Sequence, residues 1–183
     1  ALIRACNPLP FFTSRLCSHP CETQCKWNYR HLPIAIKNLE RFAVEYQPIT
    51  CDMTIHSYNK GETAALSGLR AAVIGSGPLG LAMAKTLREN GAQVVVYEQR
   101  DKLGGRLNKI PPSILSYDLI QYEINHMIEM GIGFQYPYSV LPQDLDKDPF
   151  SSFDLIYLAV GNPDITGLRI AGADKESVFL GYD

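Results

Sequence analysis

No apolar run in this 183-residue chain approaches the roughly 20 residues needed to cross a bilayer, so no membrane-spanning segment is expected. Charge of neither sign dominates: 17 Lys and Arg stand against 19 Asp and Glu, a formal net charge of −2. That balance gives no electrostatic case for nucleic acid or an anionic membrane as partner. Histidine is scarce: the four residues, His19, His31, His56 and His126, are scattered and form no Ser-His-Asp set. No nucleophile elbow is present, nor any carboxylate pair at a spacing that implies acid–base work. No catalytic side chain is therefore expected, and the chemistry would belong to a cofactor. A signal-peptide pattern is missing too, because Pro8, Pro10 and the polar residues after them break any apolar core. The chain does not open on Met, and reads as a processed or excised piece. Repeats and low-complexity tracts are absent.

What is present is an ordinary globular composition, 46% apolar and 20% charged, in a length that suits one domain or one domain with a small appendage. The most informative stretch is Ala71-Ala72-Val73-Ile74-Gly75-Ser76-Gly77-Pro78-Leu79-Gly80. It reads as a short apolar strand entering Gly-x-Gly-x-x-Gly and then a helix. Gly75 serves the tight turn, Gly77 lets backbone approach a pyrophosphate, and Gly80 lets helix and strand pack closely. Backbone N–H groups at the helix start, around Pro78 and Leu79, face the anionic phosphates. The helix continues through good helix formers to a stop at Asn90-Gly91. Val94-Val95-Val96-Tyr97 then reads as a buried parallel strand. It ends at Glu98, about 20 residues beyond the turn, where a carboxylate can accept the ribose hydroxyls of a bound dinucleotide.

Glu98 argues against a phosphate on the adenosine ribose but does not separate FAD from NAD. The segment after it, Leu103-Gly104-Gly105-Arg106, resembles FAD-binding two-domain flavoproteins, in which a Gly-Gly turn passes close to the flavin diphosphate. The physical need is again backbone without Cβ beside a ligand, and Arg106 is a candidate to add charge at the pyrophosphate. FAD is the expected cofactor, with NAD the alternative.

Cysteine supplies the second motif. Of five cysteines, three form the spacing C-x3-C-x3-C at Cys17, Cys21 and Cys25. With no sign of secretion, such spacing points to metal or cluster binding more than to disulfides, and to a cytoplasmic, reducing compartment. Zinc usually takes two ligand pairs. Thiolates also suit iron–sulfur clusters, but three leave a four-iron cluster one ligand short. Cys6 is a candidate by proximity alone, and Cys51 reads as an ordinary thiol. Buried, unligated cysteines are the plain alternative.

These signals predict an α/β fold: a partial, parallel, Rossmann-like FAD-binding domain preceded by a small α-helical, cysteine-containing domain. The expected divisions are residues 1–46 for the helical unit, 47–68 for a connector and 69–183 for the dinucleotide unit. In the first unit Pro33 is expected to start a helix over 34–46, whose Ile36, Leu39, Phe42 (or Ala43) and Tyr46 make an apolar stripe read as core packing. In the last, a helix is expected over 117–130, a short strand over 132–134, and a further parallel strand in the apolar run 154–161.

Three segments in one order carry a resemblance: Asn7-Pro8-Leu9-Pro10 through Cys25, the helix around residues 35–43, and Val73 to Gly80 with Glu98 and Gly104-Gly105. Together they resemble the glutamate synthase small subunit family, which includes the amino-terminal half of dihydropyrimidine dehydrogenase and related NAD(P)H:acceptor subunits. Residues 154–161 are similar to that family's strand ending in Ala-Thr-Gly, and residues 168–174 to its Ile-Pro-Gly-Glu-Asp segment. The resemblance implies an oxidoreductase in which hydride passes from NADH or NADPH to FAD. Electrons then leave through 4Fe-4S clusters to an electron-acceptor subunit or domain. It implies that Cys17 and Cys21 bind one cluster and Cys25 the other, with Glu40 a candidate further ligand. Thr13 stands where members commonly carry a cysteine, no four-cysteine motif precedes Cys6, and Ala159-Val160-Gly161 replaces Ala-Thr-Gly. No second glycine fingerprint follows. The resemblance therefore implies incomplete or absent clusters, an incomplete flavin pocket and an inactive piece of a longer parent. The alternative is a non-catalytic dinucleotide-binding or docking module, with zinc as a candidate stabiliser.

Overall fold

A computed structural model describes residues 3, 6–30, 32–46 and 65–161. The connector expected over 47–68, with Cys51 and His56, lies almost wholly outside the described residues, as do His31 and the segment 168–174. The chain divides into two compact units, one made of Ala1–Gly61 and Ile110–His126, the other of Glu62–Lys109 and Met127–Asp183. Residues 110–126, read from sequence as part of the dinucleotide unit, thus cluster with the amino-terminal one.

In the amino-terminal unit, helix α1 (Pro10–Leu16) starts on a proline, which costs nothing at a position whose N–H would lack a partner in any case. It buries Phe11 and Phe12, and Phe11 meets Tyr122 with ring centroids 5.4 Å apart. Burial of each large apolar side chain contributes about 1.5–3 kcal/mol. A single turn, α2 (Pro20–Thr23), follows, and then helix α3 (Ile36–Tyr46). Helix α3 begins at Ile36, later than Pro33 suggests.

The apolar stripe of α3 requires a correction. Ile36, Leu39, Phe42 and Tyr46 are 38%, 58%, 63% and 77% exposed. The inward face is instead Lys37, Glu40 and Val44, of which only Val44 is fully buried. That face is held by polar contacts: Glu40 accepts a hydrogen bond from Asn7, and Lys37 N–H donates to Glu22. Helical period identifies a face that wants cover; it does not say that this chain supplies the cover.

The other unit holds a four-stranded sheet of order β3-β2-β1-β4, with every pairing parallel. Its strands are β1 (Arg70–Ile74), β2 (Gln93–Tyr97), β3 (Gly133–Gln135) and β4 (Leu155–Leu158). The register sets Ala72 beside Val95 on one side and Ile156 on the other. Helix α4 (Pro78–Glu89) connects β1 to β2, and helix α5 (Tyr117–Glu129) precedes β3. Parallel strands are covered on both faces, which is why β1 reads as a continuous apolar run and is buried from Ala71 to Ile74. On one face Ala72, Ile74, Tyr97 and Phe150 form a core cluster, with Tyr97 and Phe150 ring centroids 4.8 Å apart. The strand order reverses at β1, the topological switch point at which open α/β sheets bind ligands.

Candidate functional site

The carboxyl ends of β1, β2 and β4 converge on the glycine loop. Gly75, at φ 109°, occupies a region that side chains rarely adopt. A Cβ there would lie 2.4 Å from Ala159 O, at the end of β4. At Gly80 a Cβ would lie 1.9 Å from Gly75 O, so helix and turn touch backbone to backbone. Gly77, the N-cap of α4, is different. Its φ of −65° suits any residue, and a Cβ built on it meets nothing within 4 Å. The first glycine and the third are required by the fold itself. The middle one borders open space at the start of a helix, where exposed Pro78 and Leu79 follow.

The second glycine pair comes to the same place. Gly104 and Gly105 have φ of 106° and 52°, and a Cβ on Gly105 would sit 2.8 Å from Gly77 Cα. Two backbone segments 28 residues apart are thereby packed face to face, and Ser76 joins them: Gly104 N–H donates to Ser76 Oγ at 3.0 Å. Arg106 lies in the short 3-10 turn after the pair and is exposed.

Glu98 stands at the tip of β2 and is 6% exposed. Its Oε2 accepts both Ser76 N–H at 3.0 Å and Ser76 Oγ–H at 2.7 Å. Its Oε1 accepts Arg100 N–H at 2.9 Å. A carboxylate offers about four acceptor sites, and these bonds occupy all but one, on Oε1. The acid therefore also clamps the glycine loop. Sequence reasoning misses Ser76, which is 0% exposed. The only signal for it is a hydroxyl at the first variable position of the fingerprint, where the pattern accepts any residue.

The cysteines are less gathered. Cys6, Cys17 and Cys21 are exposed and Cys25 is half-buried, all as free thiols. His19 N–H donates to Cys17 Sγ at 3.3 Å. Backbone N–H groups, foremost that of Ile34 and then that of Trp27, pull the Cys25 thiol below its ordinary pKa. Amide donors of this type favour thiolates. Glu40 shares the Asn7 side-chain amide, at 3.3 Å, with the Thr13 hydroxyl at 2.6 Å. Among the described residues, however, no three His, Cys, Asp or Glu side chains come together as a metal site. The thiols fit an iron–sulfur cluster in kind, but among the described residues they are not gathered into a closed site.

Comparison with known proteins matches two parts of the chain to two family models. Residues 1–50 match the family model of dihydropyrimidine dehydrogenase domain II, 4Fe-4S cluster. Residues 73–126 match that of the NAD(P)-binding Rossmann-like domain. Over 185 residues and 97% of its length, the chain is 32% identical to glutamate synthase [NADH] of Schizosaccharomyces pombe, of which it spans 8%. Over 181 residues and 97% of its length, it is 30% identical to the glutamate synthase [NADPH] small chain of Bacillus subtilis, of which it spans 35%. It is 28% identical over 196 residues, 96% of its length, to the NADP(+)-dependent formate dehydrogenase subunit beta of Moorella thermoacetica, of which it spans 27%. The chain thus spans about a third or less of the relatives it matches.

Proposed function

Because this chain is a member of the glutamate synthase small subunit family, we propose that it is the FAD-binding and cysteine-bearing part of an NAD(P)H-dependent oxidoreductase. One observation carries this reading. Gly77 opens on free space at the start of α4, with the Gly104-Gly105 turn packed against it and a buried carboxylate beside it. Bound FAD would supply the redox chemistry, accepting hydride from a nicotinamide and releasing electrons onward.

The protein's own part is to bind and orient. The N–H groups at the start of α4 and the helix dipole would hold the diphosphate. The remaining acceptor site on Glu98 Oε1 would take a ribose hydroxyl, and Arg106 would neutralise phosphate charge. The glycine pair favours FAD over NAD at this loop, because it offers a second stretch of bare backbone to a diphosphate. Cys17, Cys21, Cys25 and Glu40 would act as donors to iron–sulfur clusters, a reading supported by the 4Fe-4S family match over residues 1–50. The electron acceptor would be a partner subunit or domain, since matched relatives are named as a small chain and a subunit beta. No described helix is long and apolar enough to cross a membrane; a cytoplasmic location is part of the proposal.

Calorimetric titration of the chain with FAD, ADP and NAD tests the reading. FAD and ADP are expected to bind with comparable affinity, since the described site recognises their shared half. Failure of all three to bind would refute it. Binding of NAD alone would transfer the site to the nicotinamide cofactor.

A further inference from the structure

Within the amino-terminal unit, α1, α2 and α3 border an open cavity of about 330 Å³. Three cations line it, Arg15, Lys37 and Arg41, with His19 and Ser14; the one acid in the lining is Glu22. That acid is already engaged. Its Oε1 accepts Lys37 N–H at 2.8 Å, and its Oε2 lies 3.8 Å from His19 Nε2. Glu45, outside the lining, pairs with Arg15 and with Arg41 Nε. Three cations less these two carboxylates leave one positive charge uncompensated. Among the described residues no carboxylate pairs with the Lys37 ammonium, and Glu45 is the single acid on Arg41.

The wall also holds polar atoms that no group among the described residues satisfies. Ser14 is 0% exposed and Arg15 is 7% exposed. Ser14 Oγ, Arg15 Nε and His19 Nδ1 are buried without a hydrogen-bond partner. Buried polar atoms in native proteins are nearly always paired, and a cluster of exceptions at one cavity points to a bound ion or water. His19 adds a second sign: it is the one non-glycine residue with positive φ among the described residues, at 50°. Such backbone conformations persist where the surroundings enforce them, often at ligand sites.

We propose that this cavity binds a small oxyanion. Lys37 and Arg41 are the accessible ligands, and Arg15 is the buried charge behind them. Guanidinium groups match planar and tetrahedral oxyanions with paired N–H donors, and charge-assisted bonds of this kind are the strong ones. This site is separate in sequence and chemistry from the glycine loop and does not rest on the assignment of FAD.

The test is calorimetric titration of the full chain with inorganic phosphate in the presence of saturating ADP, which fills the glycine loop. Saturable phosphate binding is expected to persist. Lys37→Met and Arg41→Met should each weaken it about tenfold or more, while Lys147→Met, an exposed cation elsewhere, should leave it unchanged. Both tested side chains are at least partly exposed, so the variants should stay folded, with Arg41→Met losing only the small stability of its bond to Glu45. Absence of saturable binding would overturn the proposal, as would equal binding by the parent and both variants. So would displacement of phosphate by ADP, which would assign it to the glycine loop. If ADP itself failed to bind, that would count against the dinucleotide reading, while the Lys37 and Arg41 variants would still decide the oxyanion site.

Discussion

Ser76 and Glu98, 22 residues apart, are bonded twice through one carboxylate oxygen, by backbone N–H at 3.0 Å and by side-chain hydroxyl at 2.7 Å. The same hydroxyl accepts Gly104 N–H at 3.0 Å. One small side chain thus fixes the glycine loop, the tip of β2 and the second glycine turn in a single arrangement.

Ser76→Ala is expected to cost about 1–3 kcal/mol, because it leaves Gly104 N–H without its acceptor and removes a charge-assisted bond to Glu98. Chemical denaturation measures the loss. The affinity for ADP should fall alongside it, since both glycine segments would be free to shift. An unchanged denaturation midpoint would show that the clamp contributes nothing.

The glycines separate fold from binding. Gly80→Ala would drive Cβ against Gly75 O at 1.9 Å, a backbone clash that no side-chain rotation relieves. A destabilisation of several kcal/mol is expected, read as a large fall in melting temperature. Gly77→Ala meets nothing within 4 Å, so stability should change by less than about 0.5 kcal/mol. Its methyl group would nevertheless occupy the space offered to the diphosphate, and ADP affinity should drop at least about tenfold. Equal losses of stability in the two variants would contradict this division.

Much of the dinucleotide unit is legible in the amino-acid sequence. The strand runs, the fingerprint and Glu98 lie within one short span, and local physics determines each: bare backbone for turns, apolar runs for buried strands. Expected and observed strands agree to a residue or two at β2 and β3. Ser76 is hidden because the pattern fixes glycines and leaves the residue between them open. The amino-terminal unit is harder to read. The inward face of α3 is specified by Asn7, Glu22 and Val44, which are far apart in sequence, and no periodicity records such pairings. Cysteine spacing identifies donors; whether they converge depends on backbone path.

Glu45 provides a pH test. Its carboxyl is held below the usual carboxylate range, mainly by the Arg41 hydrogen bond and further by Arg15 charge, against a smaller opposing effect of burial. A depressed folded-state pKa contributes stability that is present above the unfolded value and lost as pH falls through the folded one. Glu45→Gln should therefore lower the melting temperature at pH 7, and the gap to the parent should close as the solution is acidified below about pH 4. The side chain is 39% exposed, so solvent screening keeps the effect small. A gap that is constant with pH would mean that the pair does not titrate with folding.

The exposed stripe of α3 leads to a prediction opposite to that for a core. Leu39 and Phe42 are 58% and 63% exposed. Truncating a buried residue of this size costs about 2–5 kcal/mol, whereas surface changes usually fall within about 0.5 kcal/mol. Leu39→Gln with Phe42→Gln is therefore expected to leave the denaturation midpoint of the isolated chain nearly unchanged. Phe42 stacks on Tyr46, with centroids 5.4 Å apart, so any small loss should come from that pair and appear equally in Phe42→Gln alone. A drop of core size would mean that the stripe is covered in solution.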